Sequence, residues 1–105
     1  MGYVIQEYLC NPLLVNDKKF DLRVYILILN IGSSNTPFLS FISEEALVRF
    51  CTEPYEKPNN KNMHKLLSHL TNYTLNKLSS NYQNSQNLDQ ESQLDSSKRT
   101  LTSLF

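Results

Sequence analysis

Three charged side chains of mixed sign, Lys19, Asp21 and Arg23, recur at every second residue of an otherwise apolar run. On an extended backbone this spacing places them on one face over about 13 Å. Such a row can grip an anion. A lysine meets phosphate as a point charge, an arginine fork takes phosphate or carboxylate through two N–H groups, and an aspartate accepts from a ribose hydroxyl. Alternating charge is equally what a strand shows to water, so spacing alone leaves both readings open.

Other polar residues carry weaker signals. Glu7 stands among apolar residues, as an edge charge or as an acid beside a nucleotide in a sheet-lined cleft. His64 and His69 lack the i, i+4 spacing that puts two imidazoles on one helix face, and neither cysteine is near them in sequence, so no metal site is expected. The run His69-Leu70-Thr71-Asn72 has polar groups able to meet a phosphate or ribose, although Thr-Asn after an apolar stretch also makes an ordinary turn or cap. No glycine-flanked serine elbow occurs, and with only 2 glycines there is neither a P-loop nor a dinucleotide fingerprint.

The elements that must position these residues follow from pattern. Tyr3 to Leu9 is rich in β-formers and ends before Asn11-Pro12, which predicts a strand closing into a turn. Asn16-Asp17 supplies turn chemistry, and Phe20 to Ile31 then reads as one long strand with Phe20, Leu22, Val24 and Ile26 on one face and Asp21, Arg23 and Tyr25 on the other. Gly32 to Asn35 turns the chain into a third strand, Thr36 to Ile42, forming an antiparallel hairpin. Ser43 offers an N-cap, Glu44 and Glu45 fit a first helical turn, and Ala46 to Phe50 is too short to choose between helix and strand. Glu53 to Asn62 is loop by composition, and Met63 to Leu70 fits a short helix. Asn, Gln and Ser then dominate as far as Ser97, a composition that buries too little apolar surface to offset its ordering entropy, so a disordered insert is expected over 83–97. Lys98 to Phe105 turns apolar again. The first residues read as the inside of a sheet and the last as the start of a new element, so both ends are expected to be internal to a larger domain.

The totals bound the classes. A chain of 105 residues is one domain at most, with 10 acidic and 10 basic side chains and no net charge to attract a polyanion. The longest apolar run, Val24 to Ile31, is far short of the ~20 residues of a membrane helix. Neither nucleic acid nor membrane is therefore expected as a partner. Cys10 and Cys51 are expected to be reduced, since no secretory leader is evident. Met1-Gly2 lacks the Ser or Thr that a myristoylation signal needs at Gln6.

Taken in series, Val4-Ile5-Gln6-Glu7-Tyr8-Leu9, Pro12-Leu13-Leu14, Lys19-Phe20-Asp21-Leu22-Arg23-Val24-Tyr25, Leu47-Val48-Arg49-Phe50, Thr52-Glu53-Pro54-Tyr55 and His69-Leu70-Thr71-Asn72-Tyr73 resemble the tubulin–tyrosine ligase-like family in order and spacing. The resemblance spans residues 3 to about 82 and resumes at Ser97-Lys98-Arg99-Thr100-Leu101. It implies an α/β (α+β) fold: part of an ATP-grasp domain with a mainly antiparallel sheet, short helices and a disordered polar insert. On this division, 1–82 is the central part of the domain, 83–97 the insert and 98–105 the start of the next element.

Family members use ATP and Mg2+ to activate a carboxylate as an acyl-phosphate, which the amine of an amino acid attacks. By resemblance, Gln6, Glu7, Tyr8 and Leu9 meet adenine, Lys19 and Asp21 contact the nucleotide, and Thr71 and Asn72 lie beside it. Arg23 faces the reaction centre. Arg49 holds the incoming amino acid through a fork to its α-carboxylate, assisted by Tyr73 and Lys98. Phe20, Leu22, Val24, Tyr25 and Phe50 match the family but are most simply core residues. The family's magnesium carboxylates lie in a later stretch and its phosphate-binding lysines in earlier ones, so no metal ligand is expected here and the chain alone is expected not to catalyse. The Arg49 block and the Pro54-Tyr55 loop resemble members that add glutamate to tubulin, which implies tubulin or microtubules and free glutamate as partners. The implied location is the cytoplasm and cytoskeleton, cilium and basal body included. A tubulin glycylase and a non-catalytic remnant binding only nucleotide or tubulin are the alternatives.

Overall fold

Asn16 and Asp17 both take left-handed backbone angles, φ 51° and 59°, as the two-residue turn of a tight hairpin requires. In the computed structural model, which describes residues 2–83 and 96–104, this turn joins β1 (Leu14–Val15) to β2 (Lys18–Arg23), with Val15 opposite Lys18. After Arg23 the chain enters β3 (Ile26–Asn30), turns back into β4 (Leu39–Ile42) and continues into β5 (Leu47–Phe50). A short helix, α1 (Tyr73–Asn76), and β6 (Lys98–Thr100) complete the series. All the pairings are antiparallel: a four-stranded sheet in the order β1-β2-β5-β6 and a two-stranded β3-β4 ribbon. This is the mixed, sheet-dominated arrangement of a partial ATP-grasp domain.

The run expected as one strand from Phe20 to Ile31 divides because two partners claim its halves. β5 takes Phe20 to Arg23, and β4 takes Ile26–Asn30. At the break, Ser43 N–H donates to Tyr25 O at 2.9 Å. The expected hairpin forms between β3 and β4. Its turn needs Gly32, whose φ is 85° and whose Cβ, if present, would lie 3.1 Å from the Phe38 backbone nitrogen. The choice left open at Ala46 to Phe50 falls to strand, since β2 and β6 satisfy the backbone of β5 on both edges.

Ser43 to Glu45 forms no helical turn, and two further expected elements are missing. Tyr3 to Leu9 joins no ladder, and Tyr3 and Ile5 are 87% and 97% exposed, because no described strand lies alongside to take its N–H and C=O groups. Met63 to Leu70 holds only a 3-10 turn at Leu66–Ser68. Of the insert expected to be disordered over 83–97, residues 84–95 lie outside the described residues. At the flanks, Ser97 N–H donates to Gln83 O at 2.9 Å and Phe50 N–H to Ser97 O at 2.9 Å, which fastens the base of the insert to β5.

The core lies on one face of β5. Ala46, Val48 and Phe50 alternate inward and are at most 4% exposed. The Phe20 ring lies 5.5 Å from that of Phe50, and the Arg99 guanidinium covers Phe50 at 4.2 Å. Leu22, Val24 and Tyr25, read from sequence as core, are instead 45%, 42% and 56% exposed. Val24 and Tyr25 lie in the link between β2 and β3, while Leu22 stands opposite buried Val48 without being covered itself.

Candidate active site

Directly opposed residues of antiparallel strands project to the same face. Asp21 lies opposite Arg49, and Arg49 opposite Lys98, so three strands contribute to one cross-strand row. Lys19 and Arg23 flank Asp21 on the same face of β2. The face thus gathers cations around a single carboxylate, and its positive excess suits a polyanion. Arg49 Nε–H donates to Asp21 Oδ1 at 2.9 Å, and Nη2–H donates to Oδ2. This acceptor pushes the Arg49 guanidinium above its ordinary pKa. The fork expected to take an α-carboxylate is therefore turned to Asp21. A guanidinium has five N–H donors, so Nη1 and the second hydrogen of Nη2 are left to meet a ligand.

Beside this row, Arg49, Thr71, Tyr73 and Lys98 line one recess, which brings the expected amino-acid residues together with a member of the nucleotide block. Lys98 Nζ lies 5.9 Å from the Tyr73 ring centre, and Tyr82 meets the same ring edge-on. Buried Asn76 builds the recess floor. Its Oδ1 accepts from Thr52 N–H and Thr52 Oγ1–H, each at 2.9 Å, and its Nδ2 donates to Leu70 O and Asn72 O at 2.7 and 3.0 Å. One side chain thereby ties the end of β5 to the Thr71-Asn72 turn.

At the other end of β2, Lys19 Nζ donates to the Tyr8 hydroxyl at 3.2 Å and lies 4.6 Å above the Tyr8 ring. The Tyr8 hydroxyl is 3.1 Å from His69 Nδ1, and Tyr55, donating to Cys10 O at 2.8 Å, packs edge-on against the same imidazole. Partial burial raises the Tyr8 and Tyr55 phenols above their ordinary pKa. The remaining expected residues are not gathered: Gln6, Glu7, Leu9, Arg23 and Asn72 are exposed, and Asn72 takes part only through its carbonyl. Sequence reasoning missed Asn76 and Tyr55. Tyr55 stands in a quoted block, whereas Asn76 sits in a polar run that gives no sign of burial.

Among the described residues no group of three or more His, Cys, Asp and Glu could hold a metal ion, and no helix is long and apolar enough to cross a membrane. A model of the tubulin-tyrosine ligase family matches residues 1–104. The chain belongs to the tubulin-tyrosine ligase family. Within it, the chain is 44% identical over 102 residues to human tubulin polyglutamylase TTLL11, covering 97% of this chain and 13% of the relative. It is 46% identical over 103 residues to tubulin polyglutamylase ttll-11 of Caenorhabditis elegans, covering 97% and 14%. Tubulin polyglutamylase ttll6 of Danio rerio is 38% identical over 96 residues, covering 91% and 12%. The chain thus spans about one seventh of the length of these tubulin-tyrosine ligase family relatives.

Proposed function

We propose that this chain forms one wall of the catalytic cleft of an ATP-dependent ligase that adds glutamate to tubulin side chains. The observation that carries the reading is the cross-strand row Asp21–Arg49–Lys98, flanked by Lys19 and Arg23 and opening on the Thr71-Tyr73 recess. Such a ligation needs cations for phosphate oxygens and a grip on the incoming amino acid, placed side by side. Lys19 and Arg23 supply the first. The free edge of Arg49 and the Lys98 ammonium supply the second, because an α-carboxylate is planar and takes two N–H groups of one guanidinium. ATP, when bound, supplies the phosphoryl group that makes a carboxylate reactive toward an amine.

Glutamate is favoured over glycine because the relatives quoted above carry the name polyglutamylase. The magnesium ligands fall to parts of the domain beyond the described residues, so catalysis needs more than this wall. Tubulin or microtubules are the partner, and the cytoskeleton, ciliary axonemes included, is the place of action.

Titrating the chain with ATP and Mg2+, then with glutamate, tests the reading by nuclear magnetic resonance. The backbone amides of Lys19, Asp21 and Thr71 should move with nucleotide, and the Arg49 Nε–H with glutamate. Movement confined to the β3–β4 ribbon, or none at all, would refute it.

A further inference from the structure

We propose that His69 is a positioning residue: it ends a directional hydrogen-bond relay, Lys19 to Tyr8 to His69, that holds the Lys19 ammonium against the nucleotide-facing strand. The functional half of this proposal rests on the nucleotide reading above; the relay itself does not.

The direction of the first bond follows from donor inventory. An ammonium only donates, so at 3.2 Å the Tyr8 oxygen accepts from Lys19 Nζ. The phenol keeps its own proton to give, and the relay assigns that proton to His69 Nδ1, 3.1 Å away. In that direction Nδ1 is the acceptor and the ring proton sits on Nε2, a tautomer assigned by the relay and read out by the test below.

The surroundings hold the ring in that orientation. His69 is 7% exposed, and Tyr8 and Tyr55 each meet it edge-on at 5.8 Å. Its backbone N–H donates to Leu66 O at 3.1 Å, fixing the turn from which Thr71 reaches the recess. His69 Nε2 is buried and makes no hydrogen bond among the described residues, so the ring's polar grip on its surroundings is the one at Nδ1. Lys19 is in turn held at two points, the Tyr8 hydroxyl and the ring face 4.6 Å below. A lysine already ordered loses less rotamer freedom on meeting a phosphate. His69 thus joins Tyr8 of the block that resemblance gives to adenine, Lys19 of the block it gives to the nucleotide, and the Thr71-Asn72 turn.

Two measurements on the chain test it. Long-range 15N correlation of the imidazole should report the Nε2–H tautomer at mildly alkaline pH, and Tyr8→Phe should shift the Nδ1 resonance. An Nδ1–H tautomer, or an Nδ1 resonance indifferent to Tyr8→Phe, overturns the relay. Titration with ATP and Mg2+ should give binding weakened roughly tenfold by His69→Leu and within about threefold of the unsubstituted chain for His69→Asn, which keeps an acceptor near Nδ1. Equal affinity of His69→Leu and the unsubstituted chain overturns the positioning role. If His69→Leu does not fold, Tyr8→Phe carries the same weakening, with the ring retained. Failure of the unsubstituted chain to bind ATP sinks the nucleotide reading and the positioning role together, while the tautomer still decides the relay.

Discussion

Arg49 on β5 stands directly opposite Asp21 on β2, and its Nε–H and Nη2–H groups donate to the two carboxylate oxygens. The pair sets the geometry of the whole charged face. With one edge of the guanidinium spent on Asp21, the plane of the fork is fixed, and the side chain also lines the recess shared with Lys98 and Tyr73. Asp21 is then a positioning group for Arg49.

A double-mutant cycle on this pair, Asp21→Asn with Arg49→Gln, should give a coupling of about 1 kcal/mol in urea unfolding. The two side chains remain 36% and 24% exposed, so water screens an ion pair that would be stronger if buried. Coupling indistinguishable from zero would mean the bidentate contact is not held in solution.

Asn76 is 1% exposed, and both ends of its amide are spent on partners from Thr52 and from the Leu70–Asn72 turn. Asn76→Ala leaves those groups unsatisfied and should cost about 2 to 4 kcal/mol. Asn76→Asp should be worse, because a carboxylate oxygen would then face two carbonyls. Equilibrium denaturation checks both, and an Asn76→Asp chain as stable as Asn76→Ala would contradict the assigned amide orientation.

Acid should weaken the attachment of β6. Glu45 accepts from Thr102 Oγ1–H and from the backbone N–H groups of Leu101 and Thr102, and these bonds hold its pKa below the ordinary 4.5. Glu56, paired with Lys65 and bonded to Asn62, is lowered too. A depressed carboxylate contributes stability that is present above its unfolded pKa and lost as pH falls through the folded one. The unfolding midpoint should therefore hold from neutrality down to about 4.5 and fall below it, with Glu45→Gln flattening the slope. An unchanged slope in Glu45→Gln would place the acid sensitivity elsewhere.

The two thiols should react at very different rates. Cys51 has no exposed surface, and burial pushes its thiol up to about 11. Cys10 is only half-buried, and both are free. Since the thiolate is the nucleophile, iodoacetamide at neutral pH should label Cys10 and reach Cys51 only through unfolding. Mass spectrometry of the labelled chain reads this directly, and comparable labelling of both thiols would show that the β5 core opens readily.

What was legible from sequence was local. Asn16-Asp17 and Gly32 announce their turns because few other residues take those backbone angles, and the alternation around Asp21 marks a strand with a charged face. The partners of that face were not legible, since Asp21 meets Arg49 across 28 residues and register depends on what the sheet buries. Resemblance named Arg49, Tyr73 and Lys98 as neighbours in function, and the fold does bring them to one recess. It also led to expecting a free Arg49 fork, and gave no sign that Asn76 would be buried. A buried amide in a polar run has no period to betray it. Tyr3–Leu9 shows the converse: strong β-formers make no strand where no partner edge lies alongside.

The most direct test of the wall is a chimera. Human tubulin polyglutamylase TTLL11 would carry this chain in place of the 102 residues that match it, and glutamate incorporation into tubulin would be measured. The account predicts incorporation, lowered roughly a hundredfold by Arg49→Ala and little changed by Lys65→Ala, whose ammonium pairs with Glu56. A folded, ATP-binding chimera that adds no glutamate, or an Arg49→Ala chimera as active as its parent, would contradict it.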